Sequence, residues 1–356
     1  MLFSLKAGAA VIVLDIDLSR PGGSKEHDAM LANLVTSEVS NAASQSRASK
    51  IILARRVVQD SESNQWIRKL YFESSMPDQG RSLQAGTTTF LVDNDQVVRR
   101  WQLAMTTCDR GVSNAGHALQ LLVAATLFDA QAKLDDARQV LALSGCSTAG
   151  QDPKLSVSTS LELSEGFQVP LDDRSLISRM RFRFDWSHNC YGDFSSSIVG
   201  GRTGRTLVVI PAMLALQYPL EEAENTLRGA IVLIGNTHYD SRDMHVTPLG
   251  EMPGVLLVAN AIYSLLNNGV MKQPHMAVVV VFEIVVILLL AALFTWVSTR
   301  YTLWVGLPLV ILLLFPVAVG LFYFGVWFDY VTPLFGPITH QLLVGKHMRN
   351  GVPHGG

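Results

Sequence analysis

The sequence predicts an α/β fold, a mostly parallel or mixed sheet with flanking helices, followed by a C-terminal bundle of two to three transmembrane helices. Three observations carry that expectation. Continuous apolar runs such as "AAVIVLDIDL" (Ala9–Leu18) and "GAIVLIGNT" (Gly229–Thr237) read as strands buried on both faces. Segments with a helical apolar stripe alternate with them, as they do where helices cover a sheet. Finally, 49% of the 356 residues are hydrophobic and only 16% charged, and past about residue 274 the chain is almost free of charge.

In chain order, "AAVIVLDIDL" keeps its carboxylates, Asp15 and Asp17, for the end of the run. Asp28 then opens a helix whose Met30, Leu31, Leu34 and Val35 form one stripe. "KIILARRVV" (Lys50–Val58) is the next strand, and "TTTFLVDNDQVVRRWQLAM" (Thr87–Met105) reads as two strands about the turn Asp93-Asn94-Asp95. A helix carries Ala118, Leu119, Leu121, Leu122, Ala125 and Leu127. Residues 144–175, rich in Ser, Asp and Gly, read as a loop. "RFRFDW" (Arg181–Trp186) alternates like a half-exposed strand, and a helix over Val255–Leu266 follows the strand at Gly229.

The C-terminal part supplies the membrane argument. "MAVVVVFEIVVILLLAALFTWV" (Met276–Val297) has the length of a span and one charge, Glu283; Leu303–Trp327 is a second, and Tyr330–Val344 a shorter third. Pro308 and Pro316 are tolerable inside a lipid-embedded helix. With three spans, Arg300, Lys346 and Arg349 share one side, which the positive-inside rule assigns to the cytoplasm. The expected layout is an extracytoplasmic domain over 1–274, a membrane segment over 275–345 and a cytoplasmic tail over 346–356, multi-pass in the inner (plasma) membrane. The start, "MLFSLKAG", lacks the features of a signal peptide. It is also too short to place a parallel neighbour beside Ala9–Leu18, so a further strand and span are expected upstream.

A net charge of −2 removes any bulk electrostatic case for nucleic acid as a partner. Cys108, Cys146 and Cys190 lack CxxC spacing, which speaks against a zinc site. No GxSxG or SxxK pattern marks a nucleophile, and "GGRTGRT" (Gly200–Thr206) lacks the Lys-Ser of a phosphate loop. The stretch "IGNTHYDSRDMH" gathers His238, Asp240, Asp243 and His245 just after a strand, where α/β proteins hold ligands. Oxygen and imidazole donors there suit a divalent metal, yet without recognised metal spacing the acids also fit ordinary turn chemistry, and no metal or cofactor is assigned. Asp15, the more buried of the first two aspartates, needs a partner, and Arg99 or Arg100 is the candidate.

"GAAVIVLDIDLSRP", "FLVDNDQVVRRWQL" and above all "LRGAIVLIGNTHYDSRDMHVTPLGEMPGVLLVANAIYSLL" (Leu227–Leu266) carry a resemblance. Together they are similar to the type 2 CHASE domain, with its G-x-x-V-x-I-G, D, T-P and P-G-V-x-x-H-A-N elements followed by membrane spans. Here Val258 stands where the family often has His. The resemblance implies a bacterial extracytoplasmic sensor without enzyme activity. It also implies an unknown small-molecule ligand, a separate cytoplasmic kinase or cyclase, and a homodimer. It marks Asp15, Asp28, Arg99, Arg100, Asp240, Asp243, Thr247, Pro248, Pro253 and Gly254 as candidate ligand-binding or structural residues. The alternative from the residues alone is a membrane-tethered metal-dependent hydrolase working through Asp240 and Asp243.

Overall fold

The computed structural model describes residues 1–43, 50–59, 65–67, 83–109, 112–143, 160–170, 176–186, 197–198, 207–215, 217, 219–238, 243–272, 274, 276–296, 301 and 307–327. They fall in two compact units, Met1–Val270 and Met271–Gly356.

In the first unit the strands of the amino-terminal half are β1 (Val11–Asp15), β2 (Lys50–Arg55), β3 (Val57–Gln59), β4 (Gln65–Ile67), β5 (Leu83–Thr87), β6 (Phe90–Val92), β7 (Val98–Gln102), β8 (Ala104–Asp109) and β9 (Val112–His117). The rest are β10 (Ser160–Ser164), β11 (Phe167–Pro170), β12 (Ile177–Arg179), β13 (Ser197–Ile198), β14 (Leu207–Val208), β15 (Ile231–Gly235), β16 (Met244–Thr247) and β17 (Gly250–Pro253). The centre is a four-stranded sheet in the order β15-β1-β2-β5, with every neighbour parallel.

Helices cover both faces of that sheet. Val11, Val13, Ile52 and Ala54 pack with Leu119 and Leu122 of the helix Leu119–Leu127 and with Leu257 and Ala261 of the helix Gly254–Asn268. Leu14, Ile51, Leu53 and Leu83 face Val35 of the helix Lys25–Ala43. A strand buried on both sides has no solvent face, which is why these runs are apolar without alternation. The expected extra strand beside β1 is not needed for this sheet: β2 and β15, both downstream, flank it.

Other expectations require correction. Within the supposed loop 144–175, β10 and β11 pair as an antiparallel hairpin. Leu161, Leu163 and Val169 anchor it in the core, and the alternation of "SLELS" is short enough to be lost in the Ser-, Asp- and Gly-rich composition around it. Arg181–Trp186 joins no ladder; the strand beside it is β12, paired to β7. The Lys25 helix begins three residues before Asp28, with the Ser24 hydroxyl accepting the His27 N–H. The pair β8–β9 and the helix Gln131–Leu143 were not anticipated.

In the second unit, helices run over Met276–Trp296 and Leu307–Tyr323, the latter containing Pro316. Among the described residues no helix is long and apolar enough to cross a membrane. The Met276 helix has 21 residues along its backbone, and several of its side chains, Glu283 among them, lie outside the described set. The third expected span, Tyr330–Val344, and the basic residues Arg300, Lys346 and Arg349 also lie outside it.

Candidate functional site

The strand order places β2 on one side of β1 and β15 on the other, so the chain changes direction across the sheet between β1 and β15. At such a switch point the connections diverge and leave a crevice at the carboxyl ends of the strands. Those ends are Asp15 and Gly235, which are register partners.

The sequence that looked like one long loop then folds on itself. Met244 pairs with Pro253 and Thr247 with Gly250, so β16 and β17 form a hairpin. Pro248 presets the turn, and Gly250 takes φ +103, a conformation open to glycine. The buried Thr247 closes the turn: its hydroxyl donates to the Gly250 carbonyl at 2.7 Å and accepts the Leu249 N–H at 3.2 Å. Hairpin closure returns Gly254 to Asp243, whose carbonyl accepts the Gly254 N–H at 2.8 Å. Pro253, at φ −68, lacks an N–H and leads into the helix at Gly254 without leaving a donor unmet.

Two glycines make this junction tight. A Cβ on Gly254 would collide with the Asp243 carboxylate, and one on Gly235 would lie 2.6 Å from the Val255 Cβ. The start of the Gly254 helix is therefore wedged between the end of β15 and Asp243.

On the same edge, the His245 Nε2 lies 3.0 Å from an Asp243 oxygen, and both side chains are partly open to solvent. Asp15 is half-buried, and its carboxyl is pushed up to about 6. Burial is the largest cause, the Asp243 charge adds to it, and His245 opposes it. Asp15, Asp243 and His245 thus form one electrostatic cluster. Asp17, two residues on, is instead turned to the Ser19 N–H and lies 3.7 Å from Arg56.

Other sequence candidates sit elsewhere. Neither Arg99 nor Arg100 serves Asp15. Arg99 grips Asp95 at 2.6 and 2.8 Å and Asp93 at 3.2 Å, while Arg100 donates to Asp93 at 2.7 Å. Those acids lie on the same β6–β7 hairpin, so the pairs form without bringing distant segments together. The Arg99 guanidinium pulls the Asp95 carboxyl down to about 2. Asp28 accepts the Gly22 N–H at 2.7 Å and fixes the approach to its own helix. Asp240 and the loop Gly200–Thr206 lie outside the described residues. Among the described residues no group of three His, Cys, Asp or Glu side chains is placed to hold a metal.

Asn260 was not singled out from the sequence, although it stands at the Asn of the P-G-V-x-x-H-A-N pattern. Fully buried, it accepts the N–H groups of Arg183 and Phe184 and donates to the carbonyls of Phe184 and Leu256. It holds segment 183–184 to the Gly254 helix as a strand partner would, which explains why "RFRFDW" reads as a strand yet has no ladder. Val258, where the family often has His, is inside the core.

A doubly covered parallel sheet with a polar cluster at its switch point has that cluster where α/β domains commonly hold ligands. The particular family follows from comparison: the model of the CHASE2 domain matches residues 3–297, and the chain belongs to that family. CHASE2 domains are sensory extracellular domains of signal transduction. No curated protein and no solved structure matches the chain.

Proposed function

We propose that this chain is the extracytoplasmic sensory part of a membrane-anchored bacterial signalling protein, which binds a small molecule at the C-terminal edge of its sheet. Residues 1–274 lie outside, 275–345 in the membrane and 346–356 in the cytoplasm, where the signal passes to a kinase or cyclase. Family membership supports the sensory role. The ligand's position rests on one observation, the meeting of the Asp15–Gly235 strand ends with the Asp243–Gly254 junction at the switch point. A molecule bound there touches the first turn of the Gly254 helix, and the chain beyond that helix leads into the Met276 helix.

For the membrane segment, support comes from the sequence and from surface. The run Met276–Val297 is an apolar stretch with one charge, Glu283. Val278, Val281 and Leu288 on it, and Leu312, Phe315 and Val317 on the Leu307 helix, are exposed apolar surface that lipid would cover. The test is a pair of alkaline phosphatase fusions made in the complete reading frame. The fusion after Leu266 is active outside the cell and the one after Val352 is not; the reverse pattern rejects the sensor orientation.

A further inference from the structure

The cluster at the switch point combines three features. Asp15 is fixed at the end of a strand paired on both sides, so it has little freedom to move. Asp243 is not in a ladder; its carboxylate lies against Gly254 and its carbonyl holds the Gly254 N–H. His245 shares Asp243 and carries a charge only when protonated.

We propose that Asp15, Asp243 and His245 form a pH-sensitive joint that docks the first turn of the Gly254 helix in acid and loosens it as the solution becomes alkaline. This does not depend on a ligand binding at the edge. With Asp15 protonated and His245 charged, the three side chains sum to zero and Asp243 is held by the imidazolium. With Asp15 ionised and His245 neutral, the sum is −2 and the Asp243 charge opposes that of Asp15. The helix dipole at Gly254 favours some negative charge, but it acts over one turn and does not remove the repulsion between the acids. Since β1 cannot yield, the relief is for Asp243 to swing toward solvent, which strains its carbonyl contact with Gly254.

β15 ends in the uncharged Gly235, followed by Thr237 and His238. β2 ends in Arg55 and Arg56, of which Arg56 lies near Asp17. The first turn of the helix, Gly254–Val258, has no ionisable side chain. Among the described residues, Asp243 and His245 are the charges that act on Asp15.

Hydrogen exchange of the full purified chain between pH 5 and pH 8, corrected for the intrinsic pH dependence of exchange, tests the joint. Protection of amides 254–258, relative to β2 as a control, falls on the order of tenfold across this range, the coupling of about one unit of pKa. In Asp15→Asn that relative change shrinks, because only the Asp243–His245 pair still responds. In His245→Gln the midpoint moves to higher pH, because a cation that favoured Asp15 ionisation is gone. The proposal is overturned if wild-type protection tracks the β2 control. It is equally overturned if the pH dependence survives undiminished in Asp15→Asn or, should that variant not fold, if His245→Gln leaves the midpoint in place.

Discussion

Two charged clusters in the first unit use the same kinds of residue and do opposite things. In the β6–β7 hairpin, Arg99 and Arg100 face Asp93 and Asp95, and each charge has an opposite partner on the same short segment. At the switch point the partly buried Asp15 feels the like charge of Asp243, with the Asp243-bound His245 to offset it. Matched charges close on themselves and fix a turn. Like charges held together by the fold store an electrostatic cost that a proton or a cation can release, which is what a responsive site needs.

The largest expected effects come from two groups whose titrations burial displaces, Asp15 and His117, and they have opposite signs. The raised Asp15 carboxyl contributes stability that is fully present below its unfolded value of 3.8 and is lost as pH rises through about 6. That displacement corresponds to about 3 kcal/mol. Asp15→Asn therefore matches the wild type near pH 4 and exceeds it above pH 7 in thermal unfolding followed by circular dichroism. Equal melting temperatures at pH 8 would break the comparison.

His117, at the end of β9, is the control. Burial first, and Arg138 second, press its titration from 6.5 down to about 4, and its Nε2 has no partner among the described residues. Its stabilising contribution is complete above 6.5 and disappears as pH falls toward 4, again about 3 kcal/mol. His117→Gln flattens the acid limb of the stability curve and leaves the alkaline limb unchanged. A variant that shifted both limbs would mean that the two sites are coupled.

A smaller, pH-independent loss is expected for the matched cluster. Asp93→Ala removes the acceptor shared by Arg99 and Arg100 and costs about 1 to 2 kcal/mol, as expected for partly exposed charged hydrogen bonds. Chemical denaturation at pH 6 and pH 8 gives the same difference. A loss that varied between those pH values would blur the distinction between the clusters.

The matched cluster was partly legible in the sequence because "DNDQVVRR" is local, but the reading assigned its arginines to Asp15. Geometry on one hairpin outweighed that longer reach. The buried strands β1, β2 and β15 were legible from unbroken apolar runs, since burial on both faces is written directly in composition. β8 and β9 were not, because "MTTCDRGVSNAGH" mixes small and polar residues with no clean period. The Asp243–Gly254 junction was visible only as a set of residues. The Pro248-Leu249-Gly250 turn is a local hint that residues 244–253 pair with each other, but nothing local indicates that Asp15 arrives near them from the other end of the unit. Asn260 was hidden for the same reason: a polar residue on an apolar helix reveals its role only when the segment it holds is in place.

The central claim is that burial at the sheet edge, reinforced by the Asp243 charge, keeps the Asp15 carboxyl protonated well above the ordinary aspartate range. The most direct measurement is the titration of the Asp15 carboxyl in the full chain, by carbon-13 aspartate labelling with Asp15→Asn for assignment. The account predicts a midpoint near 6. A midpoint near the ordinary aspartate value, about 3.9, would contradict it.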